Sequence, residues 1–442
     1  MRIRLTNAWF WLRSSYWFVP LMMTLGAAAA ALALVSLDRS VAGDAELAQW
    51  VYSGSAAGAR GLLAAVASSM ITVAGVVFSI TMVALALTSS QFGPRLLINF
   101  MRDSGNQVVL GAFVATFMYC LLVLRVVRGG TPEFVPHFAV TAAIALAATA
   151  VFLLIYYIHH VSVSIQAENV IAAVRDDLSS AIESLLAPAG RTSGTADAPP
   201  RRADWSPARE AESVAVPVAR SGYIQAIDDA ELLRLGQCHD LLIRLGNRPG
   251  DFVVAGSPVA RAWSAQPPSG DMVDALARSF VIGAQRTPTQ DPEFAVNQLV
   301  EVAVRALSPG INDPFTAMAC VDWLADGLCR LAEGDMPAPE RYDDKGAVRL
   351  IVDAVTFPGI ADAAFNQIRQ YARGSAAVTI RLLEALRVIA TRAHVQVDRD
   401  ALQRHTMMIQ RGSETGLPEE LDRAAVRERV AAVLDALRAA QR

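Results

Sequence analysis

The sequence lacks most of the patterns that identify an enzyme or a disulfide-stabilised protein. Its four cysteines are scattered, form no C-x-x-C pair and have no histidine at metal-ligand spacing. No G-x-S-x-G, G-x-G-x-x-G or P-loop motif occurs in its 442 residues. We therefore expect reduced, buried thiols, no catalytic residues, no metal, no cofactor, and a protein that is not an enzyme.

Positive charge is also scarce. The chain has 39 lysine and arginine residues against 42 aspartate and glutamate residues, and Lys345 is its only lysine. Residues 1–165 carry nine arginines and five acids, so the rest of the chain is mildly acidic. Phosphate recognition needs a basic surface, which this balance does not supply. We expect no nucleic-acid partner.

The sequence instead contains long apolar segments. Four apolar runs lie near residues 16–36, 61–90, 108–127 and 138–158. Each reaches the roughly 20 residues that a membrane-spanning helix needs. No Asp, Glu, Lys, Arg or His lies inside the first, second or fourth run, and the third has only Arg125 near its end. Ion-coupled transporters place such groups at membrane depth, so their absence argues against a coupled pump.

The arginines predict the orientation, because basic residues favour the cytoplasmic side of a membrane. The cytoplasmic ends of the first two runs are marked by Arg2, Arg4, Arg13, Arg95 and Arg102. The loop after the first run is acidic, and the two arginines of the third loop oppose the rule only weakly. Four crossings predict a multi-pass protein of the bacterial inner membrane with both termini in the cytoplasm.

The second run carries an unusual face. Between Ser68 and Pro94 it holds eight hydroxyl side chains and no charge. At 3.6 residues per turn, one face of this helix is small or polar, and it consists of Ser68, Thr72, Gly75, Ser79, Met82, Ala86 and Ser89. Two interpretations are open. The small face packs against neighbouring helices, or it lines a pore in which hydroxyls tolerate water and Met82 forms an apolar constriction.

The same run is longer than a bilayer requires. No charge interrupts it between Arg60 and Arg95, so a straight helix would reach roughly 45–50 Å, beyond the roughly 30 Å hydrocarbon core. We expect it to tilt, to bend near Gly75 or to continue into the cytoplasm before Gly93–Pro94 ends it.

The predicted fold class is membrane α-helical with a cytoplasmic α+β region. Its predicted parts are a four-helix transmembrane domain at 1–160, a helical extension of the fourth span at 161–186, a flexible linker at 187–213, a small β-module at 214–262 and an all-helical domain at 263–442. The fourth span and its extension are expected to form one rod from about residue 138 to 186. His159 and His160 point in different directions on that rod, so we expect an interfacial role and no metal site.

The motif "RALSPGINDPFTA", Arg305 to Ala317, predicts a turn between two helices. The first helix should end near Leu307, and Asn312 or Asp313 should cap the second, which starts with Pro314. The alternative is a binding or interface turn in which Arg305, Ser308, Asn312 and Asp313 hold a ligand or a neighbouring subunit.

Three stretches carry a family resemblance: "AGVVFSITMVALALTSSQFGPRLLINFMRD", "SGYIQAID" and "RTPTQDPEFAVNQLVEVAVRALSPGINDPFTA". With the four-span layout they resemble a bacterial family of predicted membrane proteins, domain of unknown function family 2254. The resemblance implies this topology but no activity. A looser architectural analogy exists with small-conductance mechanosensitive channels, which also follow a Gly/Ala-rich membrane helix with cytoplasmic domains.

These features lead to two functional hypotheses. The first is a homo-oligomeric channel-like protein with the second span nearest its axis, a cytoplasmic regulatory domain, and ions or small osmolytes as permeants. The second is a membrane-anchored sensor or scaffold whose cytoplasmic domain binds a ligand or protein partner. The expected partners are the lipid bilayer and further copies of the same chain.

Overall fold

The computed structural model describes residues 15–41, 51–96, 101, 103–130, 133–186, 205–288 and 290–439. The chain forms two compact units, one ending at Val170 and the other beginning at Ile171. We call them the membrane unit and the C-terminal unit.

The membrane unit contains the four predicted membrane helices. They are α1 (Phe18–Val41), α2 (Ala56–Gln91), α3 (Ser104–Leu124) and α4 (His137–Ser164). Each is long and apolar enough to cross a bilayer. The prediction of four membrane helices is therefore confirmed, although the helices extend past the apolar runs and include Asp38, Arg60 and His160 near their ends.

Helix α3 lies at the centre of this unit. It packs against α1, α2 and α4, and half of its apolar stretch is buried, the largest share among the four helices. Gly111 allows α1 to approach closely, because a Cβ atom there would lie 2.7 Å from Met23 Sδ and 3.1 Å from Pro20 Cα. A side chain at Gly111 would push α1 away.

Helix α2 is the longest element. Ser55 caps its first turn by accepting a hydrogen bond from the Gly58 amide. Its 36 residues correspond to about 54 Å, and the helix runs through Gly75 without interruption. Gly93 then adopts a φ of +114°, and a 3-10 turn follows at Pro94–Leu96. The predicted stop at Gly93–Pro94 is confirmed.

The C-terminal unit begins within α5 (Ala167–Leu186) and contains helices and strands. The helices are α6 (Pro207–Glu212), α7 (Asp229–Cys238), α8 (Gly270–Ala277), α9 (Pro292–Ala306), α10 (Pro314–Glu333), α11 (Phe357–Ala372), α12 (Ala376–Ala390), α13 (Gln396–Gly416) and α14 (Glu420–Ala439). The strands are β1 (Val214–Pro217), β2 (Gly222–Ile227), β3 (Leu242–Leu245), β4 (Phe252–Val253), β5 (Pro258–Trp263), β6 (Phe280–Gly283), β7 (Glu340–Tyr342) and β8 (Val348–Ile351).

Two sheets organise the first half of this unit. One has the order β1-β5-β3-β8-β7, and only its β3–β8 pair is parallel. The other has the order β4-β2-β6 and is antiparallel. Ile224 and Ile243 lie in one buried cluster with Leu276 of α8 and Leu350 of β8. The predicted β-module is therefore the part of a larger α/β region that falls before residue 263.

The prediction that residues 263–442 are helical throughout is wrong, because the three strands β6, β7 and β8 lie within this range. Strand β6 pairs with β2, and β8 pairs with β3 across more than one hundred residues of sequence. Strands of four residues are too short to show a period against the surrounding helices, and their partners are distant in the chain. From Phe357 to Ala439 the described chain is helical as predicted.

The predicted continuous rod is also wrong. Helix α4 ends at Ser164, Ile165 and Gln166 leave the helical pattern, and α5 starts at Ala167. Gln166 instead accepts backbone bonds from Asn169 and Val170, which begins a new helix. Of the predicted linker, residues 187–204 lie outside the described part of the chain. The rest includes α6, which is capped by Ser206 and packs on β5 through Arg209 and the Trp263 ring.

Candidate functional site

One side of α2 forms the core of the membrane unit. Its buried residues recur every three or four positions and are Leu63, Ala67, Met70, Ala74, Val77, Thr81, Ala84 and Thr88. They pack against α3 and α4. This spacing is that of a helix face that contacts neighbouring helices along most of its length.

The predicted small face lies on the opposite side of α2. Ser68, Thr72, Gly75, Ser79, Met82 and Ala86 are exposed, and Ser89 is half-buried. Successive residues turn by 100°, which places the centre of this face roughly 140° from the centre of the buried one. Gly75 has no atom within 4 Å of the position of a Cβ atom. Within the described residues, no neighbouring helix packs against Gly75.

The hydroxyls of this face are satisfied locally. Thr72 Oγ1 donates to the Ser68 carbonyl at 2.8 Å, and Ser79 Oγ donates to the Gly75 carbonyl at 2.9 Å. A hydroxyl bonded in this way keeps acceptor capacity toward a neighbour or water. Larger apolar side chains border the face, with Ile71 and Phe78 on one edge and Val76 on the other. The result is a shallow, weakly polar groove between apolar ridges.

Behind this groove, α2 is joined to α4 by a buried hydroxyl pair. Tyr157 Oη lies 2.7 Å from Thr81 Oγ1, and both donate to the Val77 carbonyl, at 2.9 and 2.8 Å. Thr81 and Tyr157 are each only 1% exposed. The pair was not predicted from the sequence, although Thr81 and Thr88 are the two hydroxyl residues on the buried side of α2.

A second polar contact joins the start of α3 to the end of α4. Asp103 caps α3 through the Gly105 amide, and its other carboxylate oxygen lies 2.5 Å from His160 Nε2. The ring of Tyr156 stacks on His160. His160 therefore binds a carboxylate within its own unit, while His159 is exposed. The prediction that the two histidines point in different directions is confirmed, although Asp103 was not foreseen as the partner of His160.

At the other end of the unit, two acidic residues cap helices that are distant from them in the sequence. The carboxylate of Asp38 accepts bonds from the amides of Phe138 and Ala139 at the start of α4, at 2.9 and 3.0 Å. Glu133 accepts from the amide of Ala56 at the start of α2. These carboxylates satisfy free amides and oppose the helix dipoles. They fix the loop ends of the helices independently of the outward face of α2.

The predicted turn forms between α9 and α10. Asp313 caps α10 by accepting from the amides of Phe315 and Thr316, both at 3.1 Å, and Pro314 is the first helical residue. Asn312 adopts a φ of +52°, and Ser308 Oγ donates to the Arg305 carbonyl. The capping prediction is thus confirmed.

The turn brings its four predicted site residues together, but the hydrogen bonds described above join them to residues of the same turn and of the adjoining helices. Arg305 lies 3.5 Å from Glu301 on its own helix. The turn exposes two large apolar side chains beside the exposed Asn312: Phe315 is 78% exposed and Ile311 is 42% exposed. The turn's polar residues therefore act first as structural elements.

The C-terminal unit also contains an open cleft of about 530 Å³ between α10 and α12. Ion pairs cross it: Arg381 binds Asp322 through two bonds of 2.6 and 2.7 Å, and Arg392 binds Glu333. Arg330 lines its α10 side. The cleft is polar and open, with acidic and basic residues in equal number.

The described residues hold no group of three or more histidine, cysteine or acidic side chains suited to a metal ion. The four cysteines are free; Cys120 and Cys320 are buried, Cys329 is half-buried and Cys238 is exposed. Burial raises the pKa of the Cys320 thiol, so this residue is protonated and unreactive. The expectation of buried thiols is wrong for Cys238, which lies at the end of α7.

Comparison with known proteins gives the same broad class. The sequence model of a family described as "Predicted membrane protein (DUF2254)" matches residues 13–388. The chain is 33% identical over 384 residues to the uncharacterized proteins Rv1290c of Mycobacterium tuberculosis strain H37Rv and Mb1321c of Mycobacterium bovis. The alignment covers 85% of this chain and 72% of each relative. No solved structure matches the chain.

Proposed function

The chain belongs to the DUF2254 family of predicted membrane proteins, and we propose that it is a homo-oligomeric, channel-like protein with α2 nearest its symmetry axis. The observation that carries the proposal is the outward small face of α2. An exposed face of Ser, Thr, Gly and Ala is not needed for contact with lipid, which large apolar side chains serve equally well.

Association explains why such a face is small. Lipid tails are as apolar as leucine, so helices in a bilayer gain little from burying apolar surface and associate through close packing and hydrogen bonds. Small side chains permit close approach, and the face extends from Ser68 to Ala86, longer than a single helix crossing needs. A closed ring of identical chains brings the same face of every copy toward one axis.

Permeation explains why the face is also polar. Ser79 and Thr72 keep acceptor capacity after bonding the backbone, so they can contact water without a charge being placed in the membrane. Met82 is 49% exposed on the same face and would form the apolar constriction. The proposed permeants are ions or small osmolytes, and no enzymatic role is assigned to the chain.

The proposed setting is the bacterial inner membrane, with both termini and the C-terminal unit in the cytoplasm, where that unit regulates the channel. Support for this orientation comes from the arginine distribution alone.

Flux through reconstituted liposomes tests the proposal. Wild-type protein should release ions or small osmolytes, and Ser79→Trp should reduce the flux by obstructing the axis. Phe152→Trp is the matched control, because Phe152 on α4 is 71% exposed and would face lipid in the proposed assembly. A tight bilayer at high protein density would reject the channel.

The cleft between α10 and α12 favours a second candidate function, a membrane-anchored sensor or scaffold. Its mixed charges suit a polar ligand or a charged protein segment. In that case the liposomes stay tight, and a ligand or partner binds the C-terminal unit with an affinity that Arg381→Ala lowers.

A further inference from the structure

Helix α5 leaves the membrane helices but packs as part of the C-terminal unit. Only Ile165 and Gln166 separate it from α4, yet the compact C-terminal unit begins at Ile171. The apolar face of α5 is fully buried and consists of Ile171, Val174, Leu178 and Ile182. A helix that served only as a spacer would not need to bury one whole face.

Helix α5 packs against two glycines, one within α10 and one at the C-terminal cap of α10. A Cβ atom at Gly327 would lie 3.0 Å from the side chains of both Leu178 and Ile182. A Cβ atom at Gly334 would lie 2.7 Å from Leu186. Both positions leave the space that α5 occupies, so a side chain at either position would displace it.

Polar contacts hold α5 along the same line. Arg330 of α10 donates to Ser179 Oγ at 2.5 Å and to Glu183 at 3.0 Å. Nearer the start of α5, the guanidinium of Arg175 lies 4.7 Å from the ring centre of Trp323. The helix is therefore tied to α10 from its first half to its last residue.

The preceding helix is tied just as firmly to the membrane unit. Tyr157 of α4 bonds Thr81 and the Val77 carbonyl of α2, and His160 binds Asp103. Between His160 and Ile171 the described chain contains the break at Ile165–Gln166. A displacement of α10 thus has a short route to α2, the helix with the small outward face, through the contacts of α5, the chain connection to α4 and the Tyr157 hydrogen bonds.

We propose that α5 is the coupling helix of this protein, which transmits movement of α10 through the Ile165–Gln166 break and Tyr157 to α2. Arg330 makes this coupling open to regulation, because the same side chain lines the cleft and holds α5. The inference rests on the proposed function where it concerns the channel, but the coupling itself is independent of flux.

Hydrogen–deuterium exchange of the full-length protein in lipid nanodiscs tests the coupling. Gly327→Leu should displace α5 and raise its amide exchange by on the order of tenfold, since overpacking promotes local opening. Exchange should also rise at the end of α4, residues 155–164, and in α2 near Val77–Thr81. The matched control is Gly412→Leu in α13, where no atom lies within 4 Å of the new Cβ atom.

Arg330→Met is a milder second variant, for the case that Gly327→Leu fails to fold. It keeps an unbranched side chain and removes both polar contacts to α5. Faster exchange in α4 and α2 as well as in α5 supports coupling. Faster exchange confined to α5, or no change in α5, overturns it. If faster exchange spreads into α2 but the liposomes stay impermeable, the coupling proposal is supported and the channel proposal is rejected. If the liposomes show flux but faster exchange is confined to α5, the channel proposal is supported and the coupling proposal is rejected.

Discussion

Replacing Gly75 by leucine should weaken the assembly of subunits without impairing the folding of each chain. Gly75 is exposed on α2, and a Cβ atom there meets nothing within 4 Å. The isolated chain should therefore accept the leucine without a clash, and the exchange of glycine for a good helix former favours the helix by about 1 kcal/mol. Between subunits the situation is reversed, because the leucine enters a face that close approach requires to be small.

The expected effect on assembly is about fivefold to 150-fold. Overpacking of a close contact costs about 1–3 kcal/mol, and each 1.4 kcal/mol changes an association constant by about tenfold. The assay is the particle mass in detergent over a dilution series, with thermal unfolding of the same samples as the folding control. Gly75→Leu should shift the mass toward the monomer at concentrations where the wild type is assembled, with an unfolding midpoint that does not fall.

Gly26→Leu is the matched control. Gly26 is also exposed on a membrane helix and has nothing within 4 Å of a Cβ position, but it lies on α1. It should leave the mass unchanged. An assembly that survives Gly75→Leu, or that both variants weaken equally, would refute the role of the α2 face.

Three further predictions concern stability and use thermal unfolding of the full-length protein. Burial lowers the pKa of His405 from its ordinary value of 6.5, so the stability that its neutral form contributes is complete above that pH and should be lost as the pH falls below it; His405→Phe should remove this pH dependence. Gly250→Ala should lower the midpoint, because Gly250 has a φ of +98° and a Cβ atom there would contact Asp291. Asp38→Ala should cost about 1–2 kcal/mol through the loss of its cap on α4, and an unchanged midpoint would contradict that role.

Much of the membrane unit could be predicted from the sequence, because lipid imposes a strong and local constraint. Apolar length predicts the helices, and Gly93–Pro94 correctly predicts the end of α2. The small face of α2 is also visible as a periodic pattern. Its direction is not, because nothing in the pattern says that Ala74 and Val77 face α3 and α4 while Ser79 faces outward.

The C-terminal unit was harder to predict because its decisive contacts are distant in sequence. The four residues of β8 form a strand through pairing with β3, and no local period distinguishes them from a loop. The amphipathic pattern of α5 is visible in the sequence, but the packing of α5 against Gly327 depends on a helix more than one hundred residues later. By contrast, the Asp313 cap depends on adjacent residues and was predictable.

The polar pairs of the candidate site show the same limit. Thr81 and Tyr157 lie 76 residues apart in the chain, and their 2.7 Å contact arises only when α2 and α4 pack. His160 was visible as an interfacial residue, but Asp103 becomes its partner only through the position of the start of α3.

Crosslinking at Ser79 tests the central claim, that α2 lies nearest the axis of an assembly, most directly. Ser79→Cys, in a background where the exposed Cys238 is replaced by serine, should form a disulfide between chains under mild oxidation in native-like membranes. Phe152→Cys on the outer side of α4 should not, since the proposed assembly leaves that side to lipid. Efficient dimer formation through Ser79→Cys alone is the predicted result, and crosslinking through Phe152→Cys with none through Ser79→Cys would contradict the account.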